Sequence, residues 1–275
     1  MRYKTILVHV DGSAHAAVRI RHAARLAVAH EAHLIGAAFS GISRYADAIA
    51  AELAAAAMAE RAALRHQNDT ALAQFDAIAE AEGVLSHERR QVDDDPAGGL
   101  SLQARYADLV VVSQTDLDEP ASTRLIGALP EQVVLDGGRA VLVIPYSGSF
   151  SHIGKRVLVA WDGSIEATRA VFNALPLLRT AAAVALVEFK PEQAAGRQPG
   201  ADLAQYLARH GVACEVHVEP LPIRAGEALL SLAADLGSDL IVMGAYGHSR
   251  FREIVLGGVS ETIFASMTVP VLMAH

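Results

Sequence analysis

The chain has 275 residues, of which 52% are hydrophobic and 20% charged, and its formal net charge is −8. Neutralising nucleic-acid phosphates takes clustered Lys and Arg, so this acidic balance argues against a dedicated nucleic-acid binder. No apolar run approaches the roughly 18 residues of a membrane-spanning helix, and the run after Thr5 is too short for a signal peptide. A single cysteine allows neither an intrachain disulfide nor a cysteine-based zinc site. We therefore expect a cytoplasmic protein without nucleic-acid or membrane partners.

The sequence repeats itself once, at a period far longer than that of solenoid repeats. Three segments of the first half recur in the same order in the second half: 4–13 with 156–164, 107–113 with 238–244, and 140–145 with 270–275. Turn-forming residues occupy the join at 146–154. We predict two domains of one design, residues 1–147 and residues 154–275.

Each half alternates short apolar runs with longer helical patterns, which predicts a parallel sheet buried on both faces with right-handed crossovers. The predicted strands lie near 4–10, 33–39, 86–92, 107–113 and 140–144, then near 156–161, 182–188, 212–218, 238–243 and 270–274. Helices are predicted in the second half near 164–178, 200–210, 223–236 and 259–267. The Ala-rich stretch from Tyr45 to Gly83 predicts one long helix, or two that break near Asn68 and Asp69.

The tripeptide Asp162-Gly163-Ser164 stands where a predicted strand ends and a helix begins. One interpretation is a helix cap with a turn, because Asp and Ser are common capping residues. The other is a ligand site, because open α/β sheets bind ligands at the carboxyl ends of their strands. Asp162 would then bind an adenosine hydroxyl or help to hold a metal-bound phosphate. Asp11-Gly12-Ser13 is the same feature in the first half.

A set of glycines, Gly244, Gly247, Gly257 and Gly258, lies between an apolar run and a helical pattern. Glycine has no Cβ, so backbone N–H groups can approach a phosphate closely, and a helix N-terminus adds donors and positive charge. Ser260 is expected to cap this helix or to give its hydroxyl to a phosphate. The spacing is neither that of the GxxxxGK[ST] loop nor that of GxGxxG. A flexible loop is the competing interpretation, and the loop residues Arg250 and Arg252 either screen phosphate charge or face solvent.

The first half does not keep this glycine set. In strand register, Ser113 and Asp116 stand at the positions of Gly244 and Gly247, and Gly127 alone matches Gly257. Ala128 and Pro130 replace Gly258 and Ser260, and the segment 116–120 is acidic and would repel a triphosphate. We therefore predict one competent site, in the second half, with the first half as its packing partner.

Other chemistry has little support in the sequence. The histidines form no HExxH pattern, no serine lies in GxSxG, and Cys214 falls in a predicted strand as buried filler. We predict neither a catalytic residue nor a protein metal site. Asp162 is the one candidate for a general base.

These residues resemble the universal stress protein family in its tandem two-domain form. Nucleotide-binding members carry G-x2-G-x9-G-[ST], which Gly244, Gly247 and Gly257 match, whereas Gly258 replaces the Ser or Thr. The resemblance extends over nearly the whole chain. It implies two tandem doubly wound domains, each a five-stranded parallel sheet with helices on both faces.

The resemblance also implies ATP as the ligand, with or without Mg²⁺. Asp162 would lie near the ribose and adenine, and the Val187 backbone would bind adenine. The phosphates would lie on the glycine loop, which includes Met243, Gly244, Gly247, Gly257, Gly258, Val259 and Ser260. Losing the hydroxyl at position 258 would cost roughly 1 kcal/mol or somewhat more. Members commonly dimerise through their fifth strands, so 140–144 is expected to pair internally with 270–274, and two chains can associate further.

Three functions remain open at this point. The first is an ATP-binding switch in a stress response, with slow or no hydrolysis. The second is a nucleotide-free scaffold of the same fold, which Gly258 and the degenerate first half favour. The third is an adenine-nucleotide α-hydrolase, ranked last because no SGGxDS-like loop follows either first strand.

Overall fold

The computed structural model describes residues 2–41, 54–116, 118, 129–190, 199–247 and 258–275, with the backbone alone at 54–61 and 199. The chain divides into two compact units, Arg2–Val141 and Leu142–His275. Among the described residues, no helix combines the length and the apolar content needed to cross a bilayer.

The first half alternates strands and helices as predicted. Its elements are β1 (Thr5–His9), α1 (Ala16–His30), β2 (His33–Phe39), α2 (Ala54–Ala81), β3 (His87–Val92), α3 (Pro96–Ala104), β4 (Leu109–Ser113), α4 (Leu129–Asp136) and β5 (Ala140–Ile144). Strand β1 pairs in parallel with β2 and β4, and β2 pairs in parallel with β3. Helix α1 packs against α2, and α3 against α4. Since the crossovers run in opposite directions from β1, these two helix pairs cover opposite faces of the sheet.

The second half repeats this plan. Its elements are β6 (Arg156–Ala160), α5 (Ile165–Leu178), β7 (Ala183–Lys190), α6 (Pro199–Arg209), β8 (Glu215–Pro220), α7 (Ala225–Asp235), β9 (Leu240–Gly244), α8 (Val259–Ser266) and β10 (Val271–Ala274). The strands lie in the order β10-β9-β6-β7-β8, and every described pairing is parallel. Residues 157–159 and 240–242 are at most 1% exposed, which explains why these strands are apolar throughout.

An aspartate at the start of β4 and one at the start of β9 give the repeat a structural counterpart. The Asp108 carboxylate accepts hydrogen bonds from the Lys4 and Thr5 amides at the beginning of β1. The Asp239 carboxylate accepts them from the amides of Gly154, Lys155 and Arg156, where β6 begins. The matching Asp-Leu dipeptides thus perform the same task in both halves.

Two sequence predictions needed the structure to settle them. The described part of the Ala-rich stretch is one helix, because Asn68 lies inside α2 and donates its side-chain amide to the Phe39 carbonyl. Residues 45–53 of that stretch lie outside the described residues. Strand β8 begins at Glu215 instead of 212, because the Val212 amide bonds to the Leu207 carbonyl and closes α6. Cys214 therefore precedes the strand and is partly exposed, not buried filler, although partial burial raises the pKa of its thiol.

Candidate functional site

The second sheet changes direction between β6 and β9. From β6 the chain moves to β7 on one side, and it later returns to β9 on the other. A crevice forms at such a switch point because the connecting helices leave on opposite faces, and ligands of open α/β folds bind there. The residues that follow Ala160 and Gly244 therefore define the candidate site.

The turn after β6 is built by its own side chains. Asp162 Oδ1 accepts a hydrogen bond of 2.9 Å from the Ser164 amide, and Gly163 has the positive φ that the turn requires. Ser164 Oγ accepts a hydrogen bond of 3.0 Å from the Ala167 amide and caps α5. The capping interpretation is thus confirmed. Asp162 is nevertheless exposed, so its carboxylate remains accessible to a ligand.

Gly244 and Gly247 both face the first turn of α5. A Cβ on Gly244 would lie 2.5 Å from the Ala167 nitrogen, so helix and strand approach as closely as they do only because the side chain is absent. A Cβ on Gly247 would lie 3.0 Å from Glu166 Oε2 and 3.7 Å from Ser164 Cβ. The glycine segment and the Asp162–Ser164 turn, distant in sequence, therefore meet at the edge of the sheet.

Ser260 joins the start of α8 to the same place. Its Oγ accepts a hydrogen bond of 3.1 Å from the Tyr246 amide, and Tyr246 stacks on Phe264 with ring centroids 6.3 Å apart. The N-cap of α8 is Gly258, which makes no side-chain capping bond. The expectation that Ser260 caps α8 is therefore wrong, because its hydroxyl is used to hold the turn after β9.

The other residues that the sequence assigned to the site differ in how far they are exposed to solvent. Val187 is 1% exposed, and its carbonyl accepts the Trp161 amide at 2.9 Å, which extends the β6–β7 ladder. Met243 is 5% exposed within β9, and Val259 is partly exposed as the first residue of α8. Gly257 lies outside the described residues, as do the loop arginines at 250 and 252.

The described side chains around this site are mainly acidic. Glu166 lies beside Gly247, and Glu261 lies in the first turn of α8, where a Cβ on Gly258 would come within 3.9 Å of its Cγ. Asp162 adds a third carboxylate. A polyanionic ligand at this edge therefore needs compensating charge from backbone amides, from a helix N-terminus or from a bound cation.

The first half carries a residue at its sheet edge that sequence reasoning missed. Arg19, 2% exposed on α1, donates to the His9 carbonyl at 2.8 Å, to Ser113 Oγ at 2.7 Å and to Asp11 Oδ1 at 2.9 Å. The sequence could have indicated this role, because Arg19 lies on the buried face of α1, between Ala16 and Ala23, where an arginine is unusual.

The buried arginine controls the ionisation of its neighbours. Burial alone would raise the pKa of Asp11, but the charges of Arg19 and His9, with hydrogen bonds from Ser13 and Arg19, bring it below its usual range. Burial lowers the pKa of His9, Asp11 opposes this and Arg19 adds to it, and the net result is a pKa of about 4. Since His9 is neutral at pH 7, its 3.4 Å approach to Asp11 is not an ion pair there.

Comparisons with known proteins agree with this architecture. The model of the universal stress protein family matches residues 2–145 and 154–275. Universal stress protein Slr1230 of Synechocystis is 30% identical over 155 residues, 54% of this chain and 50% of that protein. Universal stress protein MJ0577 of Methanocaldococcus jannaschii is 38% identical over 47 residues, 17% of this chain and 29% of that protein. The chain thus spans half or less of the length of these curated relatives.

A solved structure supports the fold over nearly the full length. The crystal structure of a universal stress protein from Archaeoglobus fulgidus matches with a TM-score of 0.74 at 17% identity, covering 98% of this chain and 95% of that one. At this identity the likeness concerns the fold alone. With both halves matched by the family model, and with the doubly wound sheets described above, the chain belongs to the universal stress protein family.

Proposed function

We propose that the second half binds an adenine nucleotide, with ATP as the ligand, and that the protein acts as a nucleotide-dependent switch in a stress response. The observation that carries this proposal is the meeting of three segments at the switch point of one sheet. The Asp162–Ser164 turn touches Gly247, and Ser260 holds the Tyr246 amide beside the start of α8. Such a convergence of an acidic turn, a bare backbone and a helix N-terminus suits a ribose followed by phosphates.

The roles within this site follow from the exposure of each group. Asp162 binds ribose hydroxyls through its exposed carboxylate, while the amides of Gly247 and of 257–260 bind phosphate oxygens. The Ala245 and Tyr246 amides are already used, because they donate to the Ala274 carbonyl and to Ser260 Oγ. Gly258 is exposed and leaves the first amides of α8 without a side-chain cap, so these N–H groups are available to an anion. Val187 binds adenine through its backbone, because its carbonyl keeps a second lone pair beside the one that accepts the Trp161 amide.

A magnesium ion would balance the negative charges at this site. Three carboxylates, those of Asp162, Glu166 and Glu261, surround the segments that would hold a polyanion. Within the described ranges, no three His, Cys, Asp or Glu side chains group to hold a metal ion. Mg²⁺ bound to the phosphates would be held by one of these three carboxylates and would supply the positive charge that the site needs.

Hydrolysis is slow or absent under this proposal. Asp162 is the candidate base, but its Oδ1 already accepts the Ser164 amide, which holds the carboxylate in the turn before α5. Binding of the intact nucleotide, not its turnover, is then the signal. A cytoplasmic location, pairing of the two halves through their fifth strands and association of two chains complete the proposal.

A nucleotide-free scaffold is the second candidate. The observation in its favour is the Glu166 carboxylate beside Gly247, together with the missing hydroxyl at position 258. Both weaken phosphate binding relative to a family member that keeps Ser or Thr at that position.

A titration separates the two candidates. The chain has one tryptophan, Trp161, directly before Asp162, so its fluorescence reports ligand at this edge. Nucleotide is first extracted from the purified protein and identified, and ATP is then titrated with and without Mg²⁺. We expect saturable binding that is tighter with Mg²⁺.

A matched pair of variants locates the site. Gly247→Val displaces only the mobile end of Glu166, so the fold survives while the bulky side chain obstructs the phosphates; we expect Kd to rise at least about tenfold. Gly12→Val is the control, because a Cβ at Gly12 meets nothing within 4 Å and lies in the other half. ATP binding by wild type that is unchanged in Gly247→Val refutes this placement, and absence of any binding favours the scaffold.

A further inference from the structure

The carboxyl edge of the first sheet is filled by a side chain of its own. The Arg19 guanidinium reaches from α1 over the end of β1 and satisfies three oxygen acceptors, the His9 carbonyl, Ser113 Oγ and Asp11 Oδ1. Ser13 adds two hydrogen bonds to the same Asp11 oxygen, at 3.1 Å from its amide and 2.6 Å from its hydroxyl. The group is thus a closed polar cluster, with the Arg19 side chain only 2% exposed.

The second half has small residues at both corresponding positions. Arg19 follows Asp11 by eight residues, and Ala170 follows Asp162 by the same interval, on the buried face of α5. Ser113 ends β4 where Gly244 ends β9. Ala170 cannot reach the sheet edge, so the Asp162 carboxylate receives no cation from α5 and stays exposed.

We propose that Arg19 acts as a built-in ligand that fills the nucleotide site of the first half, and that Ala170 is the residue that keeps the second half open. This inference rests on the proposed nucleotide binding by the second half. The guanidinium occupies Asp11, which corresponds to Asp162, the carboxylate that binds the ribose in the proposed function. The first half is therefore closed by a side chain, and not merely short of glycines.

The first experiment transfers the built-in ligand to the second half. In Ala170→Arg the new guanidinium is placed to pair with Asp162 and the Ala160 carbonyl, as Arg19 pairs with Asp11 and the His9 carbonyl. We expect Kd for ATP to rise at least about 100-fold through occupancy of the site. The control is Phe172→Arg, which adds the same charge to an exposed position of the same helix farther from the Asp162–Ser164 turn and should bind ATP as wild type does. A folded Ala170→Arg that binds ATP with wild-type affinity overturns the proposal.

The second experiment needs no nucleotide, and it tests the role of Arg19 even if Ala170→Arg does not fold. Arg19→Ala leaves the partly buried Asp11 carboxylate with its Ser13 hydrogen bonds but without its arginine, and we expect Tm to fall by roughly 10 °C. Methylguanidinium at millimolar concentration should restore much of that loss, while methylammonium should not, because only the planar fork matches the acceptors. An equal effect of methylguanidinium on wild type and variant overturns the proposal.

The two arms separate the two claims. Wild-type protein that binds no ATP defeats the proposed function, yet rescue of Arg19→Ala by methylguanidinium would still place a ligand-sized site beneath Arg19. Conversely, ATP binding by wild type without such rescue keeps the proposed function and removes Arg19 from the role of built-in ligand.

Discussion

Gly244 is expected to be a packing residue first and a ligand contact second. Replacing it with Ala puts a Cβ 2.5 Å from the Ala167 nitrogen, 2.8 Å from the Glu166 carbonyl carbon and 2.9 Å from Glu166 Cβ. Ordinary contacts at these atoms exceed 3.4 Å, so the overlap is between about 0.5 and 0.9 Å at three atoms. Two of these atoms are backbone, and a rotamer change cannot relieve the overlap.

The cost of Gly244→Ala follows from what must move. The first turn of α5 must shift away from β9, and such overpacking costs about 1–3 kcal/mol of stability. Ala offsets at most about 1 kcal/mol of this cost, because it loses less backbone entropy than Gly when the strand forms. We therefore expect the free energy of unfolding to fall by about 2 kcal/mol. The assay is urea unfolding followed by far-UV circular dichroism, with the midpoint reduced and the m-value unchanged.

A neighbouring glycine provides the matched control. A Cβ on Gly247 meets the flexible end of Glu166 at 3.0 Å, so Gly247→Ala should unfold within about 0.5 kcal/mol of wild type. Equal midpoints for Gly244→Ala, Gly247→Ala and wild type would refute the packing role. Loss of stability in Gly244→Ala with retained ATP affinity would show that the close approach of α5 serves the fold alone.

Three further outcomes are expected. Gly258→Ser should lower the Kd for ATP about tenfold in calorimetry, because there is room for the side chain and its hydroxyl restores a charge-assisted hydrogen bond to phosphate. An unchanged Kd would contradict the placement of a phosphate at this position. Because the pKa of His9 is lowered from 6.5 to about 4, the unfolded chain binds more protons than the folded chain between those pH values. Acidification from pH 7 to 5 should therefore lower the free energy of unfolding, measured with urea, by about 2 kcal/mol more in wild type than in His9→Gln. Equal losses in the two proteins would contradict this. Asp239→Ala should lower the free energy of unfolding by about 2–4 kcal/mol, since three amides at the start of β6 lose their acceptor, and an effect under about 0.5 kcal/mol would show that water replaces the carboxylate.

Much of the fold was predictable because its signals are local or repeated. Continuous apolar strands such as Leu240–Gly244 occur where both faces of a sheet are covered, and their alternation with helical patterns dictates parallel order. The repeated Asp-Leu strands and Asp-Gly-Ser turns indicated two domains of one design. The cap at Ser164 could also be predicted from the sequence, because a capping side chain bonds to an amide only three residues away.

The partners of buried polar groups were decided by the tertiary structure. Ser260 bonds to the Tyr246 amide instead of capping its own helix, and Asn68 stays inside a helix because it reaches the Phe39 carbonyl. Gly244 makes room for a helix that begins 79 residues earlier. Arg19 is the strongest case, because its acceptors come from the end of β1, the following turn and the end of β4. Periodicity specifies which face of an element is buried, whereas the identity of the group across that face depends on how the strands are ordered, and the folded sheet alone determines it.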